Sequence, residues 1–225
     1  MSELQAVLWD MDGTLVDTEP YWMDAEFDLI GGLGGTWTTE HGLALVGNDL
    51  LVSGRYIKSV TGIELSPEEI VEELLDRVIE RVNEAVPWRP GALALLDEIT
   101  AAGIPCGLVT MSYRRFVDPV LAALPPDTFT AVVTGDEVTR GKPHPDPYLA
   151  AAAAVGLPAS QTLAIEDSAT GVASAVAAGC RVVVVPLHVP IAPAPGLTLV
   201  PDLESLSLAD LRKVMALGAS ASVTS

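Results

Sequence analysis

Two carboxylates, Asp10 and Asp12, stand two residues apart just after a short apolar run, Ala6-Val7-Leu8-Trp9. At the end of an extended segment, residues i and i+2 project from the same side. Gly13 then allows a sharp turn. Both acids are thus expected in one small space, where a cation or a shared proton must relieve their repulsion. A hard cation such as Mg²⁺ suits oxygen ligands of this kind. Three further stretches carry complementary groups: Thr110 after the run 107–109, Lys142 in Gly141-Lys142-Pro143-His144-Pro145-Asp146, and Glu166-Asp167-Ser168. Carboxylates, a hydroxyl and an ammonium are the set that phosphoryl transfer needs. One carboxylate attacks phosphorus, another carboxyl handles the proton, and a cation neutralises the equatorial oxygens.

The elements that must position these groups follow from periodicity. After the first run, short β-type runs recur at 104–110, 131–134, 163–165 and 181–186. Helical patterns separate most of them: 92–101 before Gly103, a helix capped by Asp146 with Pro147 at its first position, and 170–178 closed by Gly179. Strands alternating with helices indicate a parallel sheet covered on both faces, an α/β Rossmann-like architecture. In such sheets ligands bind beyond the carboxyl ends of the strands, where Asp10, Thr110 and Asp167 fall.

The stretch 18–85 breaks this alternation. It opens a helix at the capping box Ser66-Pro67-Glu68-Glu69, and Ile70, Val71, Leu74, Leu75, Val78, Ile79 and Val82 then form an apolar stripe at helical spacing. Gly31-Gly32-Leu33-Gly34-Gly35 reads as a flexible break. The expected division is a catalytic core of residues 1–17 and 86–225 with a helical cap, 18–85, inserted after the first strand. An insert over the catalytic end of a sheet is placed to act as a lid.

Composition narrows the partners. Of 225 residues, 30 are acidic and 12 basic, a net charge of −18 that repels nucleic acid. Hydrophobic residues make up 49%, enough for a sizeable core. No apolar run is long enough to span a bilayer, and the first residues carry no basic, apolar leader pattern. Cys106 and Cys180 sit beside apolar runs and read as buried thiols of a reducing compartment. The expectation is a cytoplasmic protein acting on a small phosphorylated metabolite, without nucleic acid or membrane partners.

The motifs together resemble the haloacid dehalogenase superfamily. Asp10-Met11-Asp12-Gly13-Thr14-Leu15-Val16-Asp17-Thr18-Glu19 is similar to its first motif, Thr110 to its second, Gly141-Lys142-Pro143-His144-Pro145-Asp146 to its third, and Glu166-Asp167-Ser168 with Gly171 and Ala177-Ala178-Gly179 to its fourth. The place of the insert resembles the branch with a small helical cap, which holds sugar-phosphate phosphatases and β-phosphoglucomutases. The resemblance implies that Asp10 is the nucleophile and forms an aspartyl-phosphate. Asp12 would be the general acid and base and would offer its backbone carbonyl to Mg²⁺, for which Asp10, Glu166 and Asp167 would be the other ligands. Thr110 and Lys142 would assist catalysis and, with Met111, bind phosphate. Tyr21, Trp22, Asn48, Arg55 and Lys58 in the insert could reach the leaving group. His41, His144 and His188 show no metal-ligand spacing.

Departures from the pattern favour hydrolysis. Where the mutases carry a His soon after the first motif this chain has Trp22, and where they carry an Arg it has Asn48-Asp49. The function implied is a Mg²⁺-dependent phosphatase of a small phosphomonoester. A hexose-phosphate mutase is the alternative within the class; a phospho-acceptor switch or non-catalytic binding domain is the alternative outside it.

Overall fold

A computed structural model of the protein describes residues 3–46 and 48–217. The six strands are β1 (Ala6–Trp9), β2 (Cys106–Val109), β3 (Ala131–Val133), β4 (Thr162–Glu166), β5 (Arg181–Val184) and β6 (Leu197–Leu199). They pair in parallel, in the order β3-β2-β1-β4-β5-β6. β1, β2 and β4 are buried along their whole length, which is why they read as unbroken apolar runs and not as alternating ones.

The helices of the alternating part are α5 (Ala92–Ala101), α6 (Arg114–Ala122), α7 (Asp146–Ala154), α8 (Ala169–Ala178) and α9 (Leu208–Ala216), numbered after four in the insert. The pleat divides the core. Leu8, Ala164 and Val182 pack with Tyr148, Ala151 and Val172 of α7 and α8 on one face. Val7, Trp9, Ile165 and Val183 pack with side chains of α5, α6 and α9 on the other.

The insert contains α1 (Glu19–Gly32), α2 (Thr39–Leu43), α3 (Leu50–Thr61) and α4 (Pro67–Glu84), and no strand among its described residues. The capping box forms as the spacing predicts: Glu69 N donates to Ser66 Oγ at 3.1 Å, and Ser66 N donates to Glu69 Oε2 at 2.7 Å. Ile70, Val71, Leu74, Leu75, Val78 and Val82 are buried, joining one core with Ala25, Leu29 and Ile57 of the neighbouring helices. Two chain segments lead into and out of the insert, and they are tied to each other. Asp17 N donates to Pro87 O at 2.8 Å and Arg89 N to Leu15 O at 3.1 Å.

Four expectations change. β6 carries no sequence signal, being three half-buried residues after a proline-rich stretch, and it forms only by pairing with β5. Asp146 begins α7 and does not cap it, because its carboxylate is taken by Arg140 at 2.8 and 3.0 Å. Ser168 caps α8, its hydroxyl accepting from Gly171 N at 3.1 Å, so that helix starts at Ala169. Gly31 and Gly32 belong to α1, and the turn comes only at Leu33.

Candidate active site

The strand order reverses between β1 and β4, the place where an open α/β sheet forms a crevice. Trp9 is in register with Ile165. Asp10 and Glu166, each one residue further on, therefore meet at the mouth of that crevice. Asp10 N donates to Ile165 O at 3.1 Å, which holds the first acid against the fourth strand. The chain then turns: Thr14, Leu15 and Val16 N–H groups all donate to Met11 O. Gly13 has φ +83°, and a Cβ there would collide with the Asp167 carboxylate, so only glycine allows this approach.

Lys142 is the centre of charge. Its ammonium, 3% exposed, donates to Asp10 Oδ1 and Glu166 Oε1, both at 2.6 Å, and to Val109 O at 2.9 Å. All three of its donors are thereby used. Tyr148 donates to the same Glu166 oxygen at 2.7 Å. Ser168 Oγ donates to the other Glu166 oxygen at 3.2 Å. Asp10, Glu166 and Asp167 each present a carboxylate oxygen within 4.8 Å of the others, all three buried. Burial, helped by the Glu166 charge and opposed by Lys142, pushes the Asp10 carboxyl up to about 7. Burial, with the charges of Asp10 and Glu166, raises Asp167 well above the usual carboxylate range. One ammonium does not balance three acids.

These residues fit a divalent cation. Asp10 Oδ2 is buried with no hydrogen-bond partner, and a set of carboxylate oxygens is the donor type that hard cations take. The Asp12 side chain lies outside that group. Its Oδ1 accepts from Thr18 Oγ1 at 2.7 Å; its Oδ2 accepts from Thr110 Oγ1 at 3.1 Å and Ser112 Oγ at 2.7 Å. Three hydroxyls thus orient it within the pocket that it shares with Asp10. The two acids that alternate along the chain do share one space, but they have different neighbours.

One pocket contains Asp10, Asp12, Thr110, Met111, Lys142 and Asp167 on the sheet side. Trp22 and Asn48 line its other wall, together with Glu19, Glu26, Ser53 and apolar residues of the insert. Three of the five insert residues named from the sequence are not in its lining. Tyr21 donates to Ala85 O at 3.2 Å and carries Arg81 over its ring. Lys58 donates to the carbonyls of Ile63, Glu64 and Leu65, tying off its own helix end. Arg55 is exposed on α3.

Sequence reasoning passed over three residues. Ser112 carries the same i, i+2 spacing from Thr110 that marked Asp10 and Asp12, and that signal could have found it. Tyr148 and Arg89 carry none. Arg89 is buried, and its Nη1 donates to Gly13 O at 2.6 Å and Val185 O at 3.0 Å, bracing the turn after Asp12.

Comparison with known proteins agrees with this geometry. The family model for haloacid dehalogenase-like hydrolases matches residues 7–185. The chain is 34% identical over 195 residues to Protein CbbY of Rhodobacter capsulatus, covering 82% of this chain and 86% of that protein. It is 31% identical over 191 residues to Hexitol phosphatase B of Escherichia coli strain K12, with coverages of 82% and 84%. A solved structure of CbbY (mutant D10N) from Rhodobacter sphaeroides, in complex with xylulose-(1,5)bisphosphate, superposes with a TM-score of 0.81 at 25% identity, over 92% of this chain and 99% of that one. No described helix is long and apolar enough to cross a membrane. The chain belongs to the haloacid dehalogenase-like hydrolase family.

Proposed function

We propose that this protein is a Mg²⁺-dependent phosphatase that hydrolyses a small phosphomonoester, a sugar phosphate or a similar metabolite, through an aspartyl-phosphate on Asp10. The observation that carries the reading is the pair of acids in one pocket. Asp10 has an oxygen without a partner, while Asp12 is held by three hydroxyls. Family membership and the relative named Hexitol phosphatase B support it. That relationship favours hydrolysis over mutase-type transfer and over a phospho-acceptor switch.

In this reading a carboxylate oxygen of Asp10 attacks phosphorus and the bond to the leaving oxygen breaks. Asp12 gives its proton to that oxygen, so the alcohol departs neutral. Water then attacks the aspartyl-phosphate, Asp12 takes a proton from it, and the bond between phosphorus and Asp10 breaks to release inorganic phosphate. Lys142 holds Asp10 in place and faces the phosphoryl oxygens, which Thr110 and the backbone at Met111 also bind. The side chains of Asp10, Glu166 and Asp167, with the Asp12 carbonyl, would hold Mg²⁺. When bound it supplies positive charge against the phosphoryl oxygens. Residues 18–85 act as the cap on a core of residues 1–17 and 86–225. Buried free thiols at Cys106 and Cys180 support a reducing, cytoplasmic location.

The test is phosphate release from a panel of phosphomonoesters with Mg²⁺ and with EDTA, on the wild type and on Asp10→Asn. Mg²⁺-dependent release that vanishes in the variant is expected. Normal turnover by Asp10→Asn would overturn the mechanism.

A further inference from the structure

We infer that the wall of the pocket contributed by the insert selects a neutral, polyhydroxylated leaving group and turns away one bearing a second negative charge, with Glu26 and Ser53 reading its hydroxyls. The inference rests on the phosphatase reading, in which the Asp10 end of the pocket receives the phosphoryl group.

The two ends of the pocket differ in charge. Lys142 is the only basic residue among the described residues that line it, and Asp10, Glu166 and Val109 O already take its donors. The polar groups of the opposite wall are Glu19, Glu26, Asn48 and Ser53. The two basic residues of α3, Arg55 and Lys58, are not in the lining, and Lys58 is bound to three carbonyls. A phosphate or carboxylate at the far end of a substrate would lose its water there with no free cation to meet it. Burying an unpaired charge is among the most costly things a site can do.

A hydroxyl meets the opposite situation. Glu26 is 5% exposed, and its Oε2 accepts from Trp37 Nε1 at 2.9 Å. That bond fixes the carboxyl and leaves Oε1 with no partner among the described residues. Burial pushes this carboxyl up to about 7 and that of Glu19 up to about 8, so near neutral pH each can both donate and accept a hydrogen bond. Ser53 is 8% exposed, and its hydroxyl also has no partner among the described residues. Polar groups that face a pocket without a protein partner favour a ligand that satisfies them. Trp22, Leu50, Val71 and Leu74 complete the wall, and such surfaces suit the C–H faces of a carbon chain whose hydroxyls point elsewhere.

The test uses a matched pair of esters on the full chain with Mg²⁺: glucitol 6-phosphate and gluconate 6-phosphate, which differ only by a hydroxymethyl group in place of a carboxylate. Phosphate release from p-nitrophenyl phosphate runs in parallel. The expected kcat/KM for the glucitol ester exceeds that for the gluconate ester by ~100-fold or more. Glu26→Ala should shrink that ratio by about tenfold, through the glucitol ester. Should that variant fail to fold, Ser53→Ala on α3 is expected to shrink it in the same direction, and Ser53→Lys to raise turnover of the gluconate ester. Equal turnover of the pair, or a ratio unmoved by the substitutions, would overturn the inference and leave the phosphatase reading standing. Release from p-nitrophenyl phosphate alone would do the same. No release from any of the three esters would overturn both.

Discussion

Ser112 donates its hydroxyl hydrogen to Asp12 Oδ2 at 2.7 Å, on the same oxygen that Thr110 reaches at 3.1 Å. With Thr18 on the other oxygen, this leaves the Asp12 carboxyl a single orientation toward the pocket. A misplaced acid and base costs rate more than binding. Ser112→Ala is therefore expected to lower kcat by about tenfold with little change in KM, since a hydrogen bond to a charged group contributes ~1.5–3 kcal/mol. Steady-state kinetics on any accepted ester checks this. An unchanged kcat would mean that Thr18 and Thr110 suffice.

Lys142 keeps Asp10 and Glu166 together against their own repulsion. Removing one partner of a buried ion pair costs ~3–5 kcal/mol, because the charges left behind are unopposed. Lys142→Ala should lose stability on that scale in EDTA and recover part of it in Mg²⁺, with turnover abolished in both. Urea unfolding of the variant, with and without the metal, measures the difference. Equal loss in the two conditions would argue that the cation does not share this charge.

Metal binding should register as stability even without substrate. Asp10, Glu166 and Asp167 crowd together in the folded chain and separate on unfolding, so a cation that bridges them binds only the folded state. At a concentration about 100 times its Kd, such a ligand adds ~2.7 kcal/mol. The melting temperature of the wild type is expected to climb with Mg²⁺ concentration and to return on adding EDTA. Asp167→Asn should flatten that response. A response equally steep in the variant would place the cation elsewhere.

Glu26 makes stability depend on pH in a definite direction. Burial raises its carboxyl from 4.5 to about 7, with the Trp37 indole opposing. Between those values the folded chain holds a proton that the unfolded chain has released. Stability contributed here therefore falls as pH rises from about 4.5 to 7 and is level above that. Glu26→Gln keeps an acceptor for Trp37 and removes the titration. The variant should match the wild type near pH 4.5 and exceed it by up to about 3 kcal/mol above pH 7. Chemical unfolding at the two pH values tests the sign, and a variant less stable at high pH would refute it.

Much of this site can be read along the chain because its members lie at strand ends that announce themselves locally. The run before Asp10, the turn at Gly13 and the apolar run leading to Glu166-Asp167 are all decided by neighbours in sequence. So are the Ser66 capping box and the stripe behind it on α4. Rules of local conformation act over a few residues, and these features need no more.

Other parts depend on distance. Lys142 meets Asp10 across 132 residues, and Arg89 meets Gly13 across 76. Tyr148 looks like an ordinary aromatic of an alanine-rich helix until α7 packs beneath Glu166. β6 becomes a strand only when β5 offers it an edge. Tyr21 and Lys58 are polar residues of the insert like Trp22 and Asn48, yet helix packing directs them to backbone carbonyls outside the pocket. Sequence alone determined the acids, the hydroxyl and the ammonium available to the site, together with the alternating elements that bring them to one edge. Only the tertiary structure decided which oxygen each donor satisfies and which insert residues face the pocket. Those choices follow from strand register and helix packing, which residues far apart in the chain set together.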